Sequence, residues 1–303
     1  MKKRKTLQDL TIKDNFLFGA VMQVEENCRD FLEMVLGFSI ARVVVSKEKS
    51  MVYHPEYKGV RLDIYAEDEN HTHYNVEMQM RRKKALGKRS RYYHSQMVIE
   101  ALESGEDYET IPATFVIFLC DFDPFSQKLY CYTFESECKE DKSVELEDGC
   151  HTIFLSTKGT NDGDVSPELV RFLRFVTAEG KESEGDFGDE LVRRFQSTIR
   201  EIKADREMGG RYMIFEEMLR EEKMEGRLEG KQEGMLEGSL EAKKEFILEF
   251  LEELGDIPAE MRDEIESLRE PEQLKALHKM AAKADSICEF AEKAEIYFRS
   301  EEK

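Results

Sequence analysis

Two alternating segments separated by a short polar turn, residues 59–68 and 74–80, constrain the fold more than any other feature of the sequence. In "GVRLDIYAED" and "YNVEMQM", apolar and polar side chains alternate, as they do in strands with one face on a core. The turn "ENHTH" between them predicts a β-hairpin. The second face of the hairpin carries Glu77 and Gln79, which are unusual side chains for a buried strand.

The simplest register places two carboxylates opposite each other across this hairpin. A symmetric hairpin centred near Asn70 pairs Asp63 with Glu77 and Arg61 with Gln79. Opposed residues have Cβ atoms about 4.5–5.5 Å apart, so two carboxylates in this position repel each other. A divalent cation such as Mg²⁺ removes that repulsion, because carboxylates are among its usual ligands. The alternative is that both carboxylates lie on a solvated face of the sheet.

The remaining periodicities place the hairpin within an α/β (α+β) domain. Residues 11–37 have helical spacing and stop at Gly37, and residues 89–105 predict a second helix that stops at Gly105. "ARVVVSKEK" predicts a strand, and the nearly continuous apolar run "IPATFVIFLCD" predicts a central one. "KLYCYTFES" and "CHTIFLST" predict two more. The predicted order is α-β-β-β-α-β-β-β over about 160 residues.

The segment 180–190, "GKESEGDFGDE", predicts a linker after this domain, and no strand pattern follows it. The predicted organisation therefore has four parts. They are an α/β domain of catalytic size at 1–178, a linker and helix at 179–210, a Glu-Gly repeat helix at 211–254, and a C-terminal helical cap at 255–303.

Composition limits the compartment and the function class. No run of 18 apolar residues and no signal peptide are found, which predicts a cytoplasmic protein without membrane contact. The six cysteines show no C-x-x-C spacing, which argues against structural zinc and a disulfide framework. A net charge of −20 repels nucleic acid on average, so any contact with DNA needs a local patch of positive charge.

Such a patch follows the acidic strand immediately. The run "RRKKALGKRSR" at 81–91 has no acidic residue, and its cations are Arg81, Arg82, Lys83, Lys84, Lys88, Arg89 and Arg91. Lysine and arginine contacts to phosphates position nucleic acid, and Tyr92, Tyr93 and His94 add aromatic surface that can stack on bases. The alternatives are a solvated basic face and aromatic residues that belong to the core.

These motifs together resemble a known family. Asp63, a hairpin turn and then Glu77-x-Gln79 resemble the PD-(D/E)XK nuclease superfamily. The ordered set "KDNFLFGAVM", "GVRLDIYAED", "YNVEMQM" and "RSRYYHSQM", followed by a long apolar strand, is similar to its recombination-promoting nuclease (Rpn) and transposase group. The likeness spans roughly residues 10–175, and the Glu-Gly repeats of the tail are also typical of that group.

The resemblance implies a restriction-endonuclease-like αβββαβ core, an all-α C-terminal region and a metal-dependent DNA endonuclease linked to DNA recombination. Asp63 and Glu77 would bind Mg²⁺ (or Mn²⁺), which lowers the pKa of a bound water. Gln79 replaces the usual lysine of the superfamily, so positive charge would come from the metal or from a neighbour such as Arg81. Asp14 matches an acidic position of the family, and its alternative role is a helix N-cap.

A second hypothesis, from another functional class, is favoured by the missing lysine and the net charge of −20, and it assigns the activity to the tail. Glu-Gly recurs every four residues in "EGRLEGKQEGMLEG", and each helical glycine costs about 1 kcal/mol relative to alanine. The segment 211–254 is therefore either a frayed, solvated helix or a helix stabilised by a partner. The second alternative predicts a homodimer. On this hypothesis the protein is a catalytically weak nuclease-fold protein that acts as a DNA-binding or protein-interaction module through its tail.

Overall fold

The computed structural model describes residues 5–46, 50–51, 60–61 and 63–301. For some of these residues only the backbone is described, namely Ser50, Met51, Val60, Arg61, Glu222, Glu229, Glu233, Ser300 and Glu301. The chain divides into two compact units, Met1–Phe215 and Glu216–Lys303.

A six-stranded mixed sheet forms the centre of the first unit. Its strands are β1 (Val43–Ser46), β4 (Ile64–Asp68), β5 (His73–Gln79), β6 (Thr114–Cys120), β7 (Cys131–Phe134) and β8 (Cys150–Ser156), and they lie in the order β1-β4-β5-β6-β8-β7. The three strands β5, β6 and β8 run parallel, and the other neighbours are antiparallel. Two short strands, β2 (Ser50–Met51) and β3 (Val60–Arg61), pair separately.

The predicted hairpin and its register are confirmed along β4 and β5. Ile64 pairs with Val76 and Glu67 pairs with His73, which is the predicted symmetric arrangement. The Asp68 carboxylate closes the turn, since it accepts hydrogen bonds from backbone N–H groups within the turn. The predicted pairing of Arg61 with Gln79 is wrong. Because β4 begins only at Ile64, Arg61 belongs to β3 and pairs with Ser50.

The helices of the two units follow in chain order. They are α1 (Asn15–Met22), α2 (Glu25–Leu36), α3 (Leu86–Ala101), α4 (Pro167–Thr177), α5 (Glu190–Ala204), α6 (Arg206–Leu254), α7 (Ala259–Ser267), α8 (Pro271–Ala281) and α9 (Ile287–Glu301). The α/β fold class, the αβββαβ order and the helical C-terminal region are therefore confirmed.

The larger core covers one face of the sheet. Val76 and Met78 of β5 join a buried cluster that includes Phe31 of α2, Phe172 of α4 and Phe195 of α5. Phe172 packs on both other rings, with centroid distances of 5.4 and 5.5 Å. Because side chains alternate along a strand, the polar residues of β5 face the opposite side.

Helix α3 covers that opposite side through a smaller core. Tyr93 and Met97 of α3 pack against Phe118 of β6 and Phe154 of β8. The rings of Phe118 and Phe154 stack with centroids 4.9 Å apart. Glu77 and Gln79 therefore lie under α3, where they are 2% and 4% exposed.

Two predicted helices have different limits in the structure. The helix expected over 11–37 is interrupted, because Val24 has an extended backbone with φ −76° and ψ 110°. Gly37 does end α2, in the left-handed conformation with φ 77°. The helix expected over 89–105 begins at Leu86, inside the basic run, and ends at Ala101 because Leu102 is extended.

The segment predicted as a linker lies within the first unit and packs against its other elements. The ring of Phe187 lies 5.5 Å from that of Phe175, centroid to centroid. Asp189 is buried, caps α5 by accepting from the Val192 N–H, and pairs with Arg171. The compact unit thus extends beyond residue 178, to Phe215, because α5 contributes to its core. The assignment of nuclease-like chemistry to 1–178 stays a prediction.

The described residues of the second unit form helices and the short connections between them, and its core joins the end of α6 to the three helices that follow. Ile247 and Leu251 of α6 are buried with Ile265, Leu274 and Phe290. Lys244 is also buried, and its ammonium donates to the carbonyl oxygen of Glu266 near the end of α7. In the described part of the chain, none of the helices combines the length and the apolar character that membrane crossing requires.

Candidate active site

The two carboxylates singled out by the sequence meet at the open end of the β4–β5 hairpin. Asp63 directly precedes β4, and Glu77 lies opposite it in β5. The Asp63 backbone N–H donates to Glu77 Oε1 at 3.3 Å, and the Met78 N–H donates to Asp63 Oδ2 at 3.1 Å. Each carboxylate thus accepts a hydrogen bond from a backbone N–H at or next to the residue that carries the other carboxylate. The structure brings the two carboxylates together as the register predicts.

Arg89 of α3 supplies a cation directly at this site. Its guanidinium donates to Glu77 Oε2 at 3.0 Å and to Gln79 Oε1 at 3.1 Å. It also donates to the Tyr93 hydroxyl from Nε at 3.2 Å, and it lies 5.8 Å from the centroid of the Phe118 ring. One arginine therefore bridges the carboxylate and the carboxamide of the Glu-x-Gln motif.

The sequence did not identify this role. The sequence predicts Arg89 only as a DNA contact. It favours Arg81 as the neighbouring charge, because alternation along the strand would put Arg81 on the same face as Glu77 and Gln79. In the structure β5 ends at Gln79, so the alternation of side chains along the strand does not determine which way Arg81 points. The Arg81 side chain is exposed. The available signal was the spacing of Arg89 and Tyr93, one helical turn apart, which puts both side chains on one face of α3.

The Glu77 carboxyl titrates far from its ordinary range. Burial, and after it the negative charge of Asp63, raise the pKa of Glu77 from 4.5 to about 7. The Arg89 guanidinium opposes this rise. The Asn75 carboxamide also lowers the pKa of Glu77, although its nitrogen makes no hydrogen bond of normal geometry. The pair therefore carries an unfavourable negative charge at neutral pH, which a cation between its oxygens would relieve.

The donor set fits a hard divalent cation. Asp63 and Glu77 offer carboxylate oxygens, which suit Mg²⁺ and Mn²⁺. Among the residues that the structure describes, no group of three or more His, Cys, Asp or Glu side chains forms a metal cluster. Two carboxylates are nevertheless sufficient for Mg²⁺, because it keeps several waters and takes phosphate oxygens from its substrate.

We expect Asp63→Asn to stabilise the metal-free protein, and more so at higher pH. Unfolded Glu77 ionises near 4.5 and folded Glu77 near 7, so the folded state binds more protons between these values. The free energy of unfolding therefore falls as pH rises through this window. Removing the Asp63 charge should recover about 1 kcal/mol above pH 7, since one pKa unit corresponds to about 1.4 kcal/mol.

Urea unfolding in EDTA at pH 5 and pH 8 measures this effect. Asp30→Asn is the matched control, because Asp30 pairs with Arg29 and Arg194 instead of another carboxylate. A clear loss of stability in Asp63→Asn at pH 8 would contradict repulsion between the two carboxylates.

Asp14 has local partners in the structure. It stands at the N-cap position of α1, but its side chain does not cap that helix. Instead Oδ2 accepts from the Thr11 N–H at 2.8 Å, and Oδ1 pairs with Lys5 at 3.1 Å. These contacts explain how Asp14 fixes the turn before α1, and its membership of the site stays a prediction.

The basic run divides between the site and the surface. Arg89 faces Glu77, and the Arg82 guanidinium donates to the carbonyl oxygen of Asp123. The remaining cations are exposed, namely Arg81, Lys83, Lys84, Lys88 and Arg91. Tyr92 is half-buried and packs on the smaller core. Tyr93 and His94 are buried, so they do not form the aromatic surface that the sequence suggested.

Among the comparisons with known proteins, the one with family models gives a match. No curated protein and no solved structure matches the chain. The family model described as PD-(D/E)XK nuclease family transposase matches residues 12–226, which include the whole sheet, the carboxylate pair and α3. That match extends over more than half of the chain, and the chain belongs to the PD-(D/E)XK nuclease family transposases.

Proposed function

We propose that this protein is a metal-dependent DNA endonuclease that hydrolyses phosphodiester bonds in DNA recombination or transposase-like reactions. The observation that carries the proposal is the pairing of half-buried Asp63 with buried Glu77, with Arg89 across Glu77 and Gln79. Family membership supports the nuclease class. The experiment that tests it is metal-dependent nicking of plasmid DNA, with wild type beside Asp63→Ala and Glu77→Ala.

Asp63 and Glu77 would hold Mg²⁺ or Mn²⁺ in this reaction. A bound divalent metal lowers the pKa of its water and polarises a phosphoryl oxygen. The Gln79 carboxamide can orient the attacking water by hydrogen bonding, but it carries no charge to offset the charge that develops on the phosphate. Arg89 supplies that positive charge from α3, and its bond to Gln79 Oε1 leaves the amide group of Gln79 to donate.

DNA is the proposed substrate, and the exposed cations of the basic run are proposed to hold its backbone. These cations lie between Gln79 and Arg89 or within two residues after Arg89, and they are Arg81, Lys83, Lys84, Lys88 and Arg91. A duplex bound there would place a phosphate near the carboxylate pair. Because the protein has a net charge of −20, this contact should be sensitive to salt.

We expect the triple variant Lys83→Ala, Lys84→Ala and Lys88→Ala to bind duplex DNA more weakly. Each lost phosphate contact reduces the slope of log affinity against log salt by about 0.9, so three contacts should reduce it by about 3. Fluorescence anisotropy in EDTA measures binding without cleavage.

The control replaces Lys275, Lys279 and Lys283, which are exposed in or just after α8, by alanine. This variant should keep the wild-type slope. Equal slopes for wild type and the basic-run variant would remove the DNA contact from this segment.

We also propose self-association through residues 211–254 of α6, which is the most specific form of the interaction-module hypothesis. Met224, Leu228 and Met235 form a narrow stripe on α6 and are between 57% and 67% exposed. A Cβ added at Gly226, Gly230, Gly234 or Gly238 would meet no described atom within 4 Å. Both the apolar stripe and the glycine row are therefore open to a second copy of this helix.

A further inference from the structure

A cavity of about 770 Å³ lies on the α3 side of the sheet, next to the carboxylate pair but separate from it. Its floor includes Ser90 and His94 of α3 and Thr152 of β8. Phe125 and Phe134 line its wall. Its volume falls within the range of about 300–1,000 Å³ that is usual for small-molecule and cofactor sites.

The floor is polar and can both donate and accept hydrogen bonds. Ser90 Oγ lies 2.6 Å from Thr152 Oγ1, His94 Nε2 lies 3.0 Å from the same oxygen, and His94 Nδ1 lies 2.7 Å from Thr114 Oγ1. Burial lowers the pKa of His94 to about 4, so the imidazole is neutral at physiological pH. A neutral floor of hydroxyls and imidazole suits the edge of a heterocycle better than a phosphate.

The wall is aromatic and accessible. Phe125 and Phe134 are 40% and 45% exposed, and their ring centroids lie 5.0 Å apart. Both rings also contact the buried ring of Phe154, at 5.1 and 5.8 Å. Phe154 thus fixes the two exposed rings at the mouth of the cavity. The planes of Phe125 and Phe134 are inclined by 52°, so a base can stack on the face of one ring while it contacts the other. Nucleic-acid-binding proteins use such exposed aromatic faces to stack unpaired bases.

The carboxylates at the rim add a chemical preference. Glu135 and Asp148 line the cavity, where Glu135 Oε1 contacts His151 and Asp148 Oδ2 accepts from Ser136. Carboxylates disfavour an incoming phosphate, but they accept hydrogen bonds from exocyclic amino groups such as that of cytosine.

The cavity is continuous with the proposed DNA contact. Gly87 and Arg91 belong to the basic run and also line the cavity. On the same helix, Arg89 faces Glu77. In the sheet, Glu77 pairs with Phe118, which pairs with Phe154 of the cavity. Phe154 is therefore two strand spacings, about 10 Å, from the catalytic strand.

We propose that this cavity binds an unpaired nucleobase of the substrate, stacked on the face of one of the rings of Phe125 and Phe134 and in contact with the other, and that it favours a base with an exocyclic amino group. This inference rests on the proposed function, because it assigns a substrate feature to that site. In a duplex with a bulged or flipped base next to the cleaved phosphate, that base would occupy the cavity while the phosphate lies at the carboxylate pair.

Fluorescence anisotropy in EDTA tests the inference with two duplexes that differ only by one unpaired adenine. Wild type should bind the bulged duplex about tenfold more tightly, since stacking on an aromatic ring contributes about 1–3 kcal/mol. Phe134→Ala and Phe125→Ala should each reduce this preference to less than about twofold and leave the affinity for the paired duplex unchanged. Phe38→Ala, which removes an exposed ring outside the cavity, should keep the full preference.

A second series replaces the unpaired adenine by cytosine or thymine. Cytosine should be bound as well as adenine and thymine more weakly, and Glu135→Gln together with Asp148→Asn should remove this difference. Equal affinity of wild type for bulged and paired duplexes would overturn the inference while leaving the proposed function intact. Failure of wild type to bind any DNA would overturn the proposed function and the inference with it.

Discussion

Arg89→Ala should lower the turnover of DNA cleavage by about 100- to 1,000-fold, which is the usual effect of removing one charge-stabilising group from an active site. The guanidinium is the cation that contacts both Glu77 and Gln79, at 3.0 and 3.1 Å. Gln79 cannot supply the charge of the lysine that it replaces. Arg89→Lys should retain part of the activity, because it keeps the charge but loses the second hydrogen bond.

Steady-state kinetics of plasmid nicking separates this role from simple DNA binding. Arg89→Ala should lower kcat at saturating DNA, whereas Lys84→Ala, an exposed cation of the same run, should raise KM alone. Thermal melts show whether Arg89→Ala still folds, since it leaves the Glu77 carboxyl without its cation. A folded Arg89→Ala protein with the kcat of wild type would contradict the charge assigned to Arg89.

Replacing Gly226, Gly230, Gly234 and Gly238 together by alanine should stabilise α6 and weaken self-association. Each glycine costs a helix about 1 kcal/mol, so the four replacements should contribute about 4 kcal/mol. No described atom lies close enough to clash with the new methyl groups within one chain. In a dimer formed by close approach of the glycine faces, the same methyl groups would separate the two backbones.

Light scattering after size-exclusion chromatography, together with thermal melts followed by circular dichroism, measures both effects. Wild type should be a dimer, and the alanine variant should melt higher and elute as a monomer. Ser239→Ala, a change at an exposed position in the same helix, should leave the dimer intact. A wild-type monomer at every concentration would exclude self-association, and a dimeric alanine variant would exclude close approach through the glycines.

The hairpin was predictable because its determinants are local. Strict alternation fixed which residues of β5 face α3, and the polar turn around Asn70 fixed the register, so Glu77 was placed opposite Asp63 from the sequence alone. The end of α2 at Gly37 was also predictable, because glycine readily adopts the left-handed conformation that ends this helix.

The identity of the cation was not predictable, because it depends on how α3 lies across the sheet. Arg89 and Arg81 look equivalent in a run of basic residues, but in the structure α3 packs with Tyr93 on Phe118 and with Arg89 in contact with Glu77. The interruption of the first predicted helix at Val24 was also not predictable from the sequence pattern. The helical spacing of apolar residues continues through 11–37, although the backbone does not.

Nicking of supercoiled plasmid with Mg²⁺ or Mn²⁺ by wild type, Asp63→Ala and Glu77→Ala tests the central claim most directly. Wild type should nick the plasmid, EDTA should stop the reaction, and both variants should lose it while retaining a cooperative thermal melt. Cleavage that persists in either variant or in EDTA would contradict a metal site at the β4–β5 hairpin. No cleavage by wild type of supercoiled, linear and single-stranded DNA would contradict the nuclease proposal and favour an interaction module.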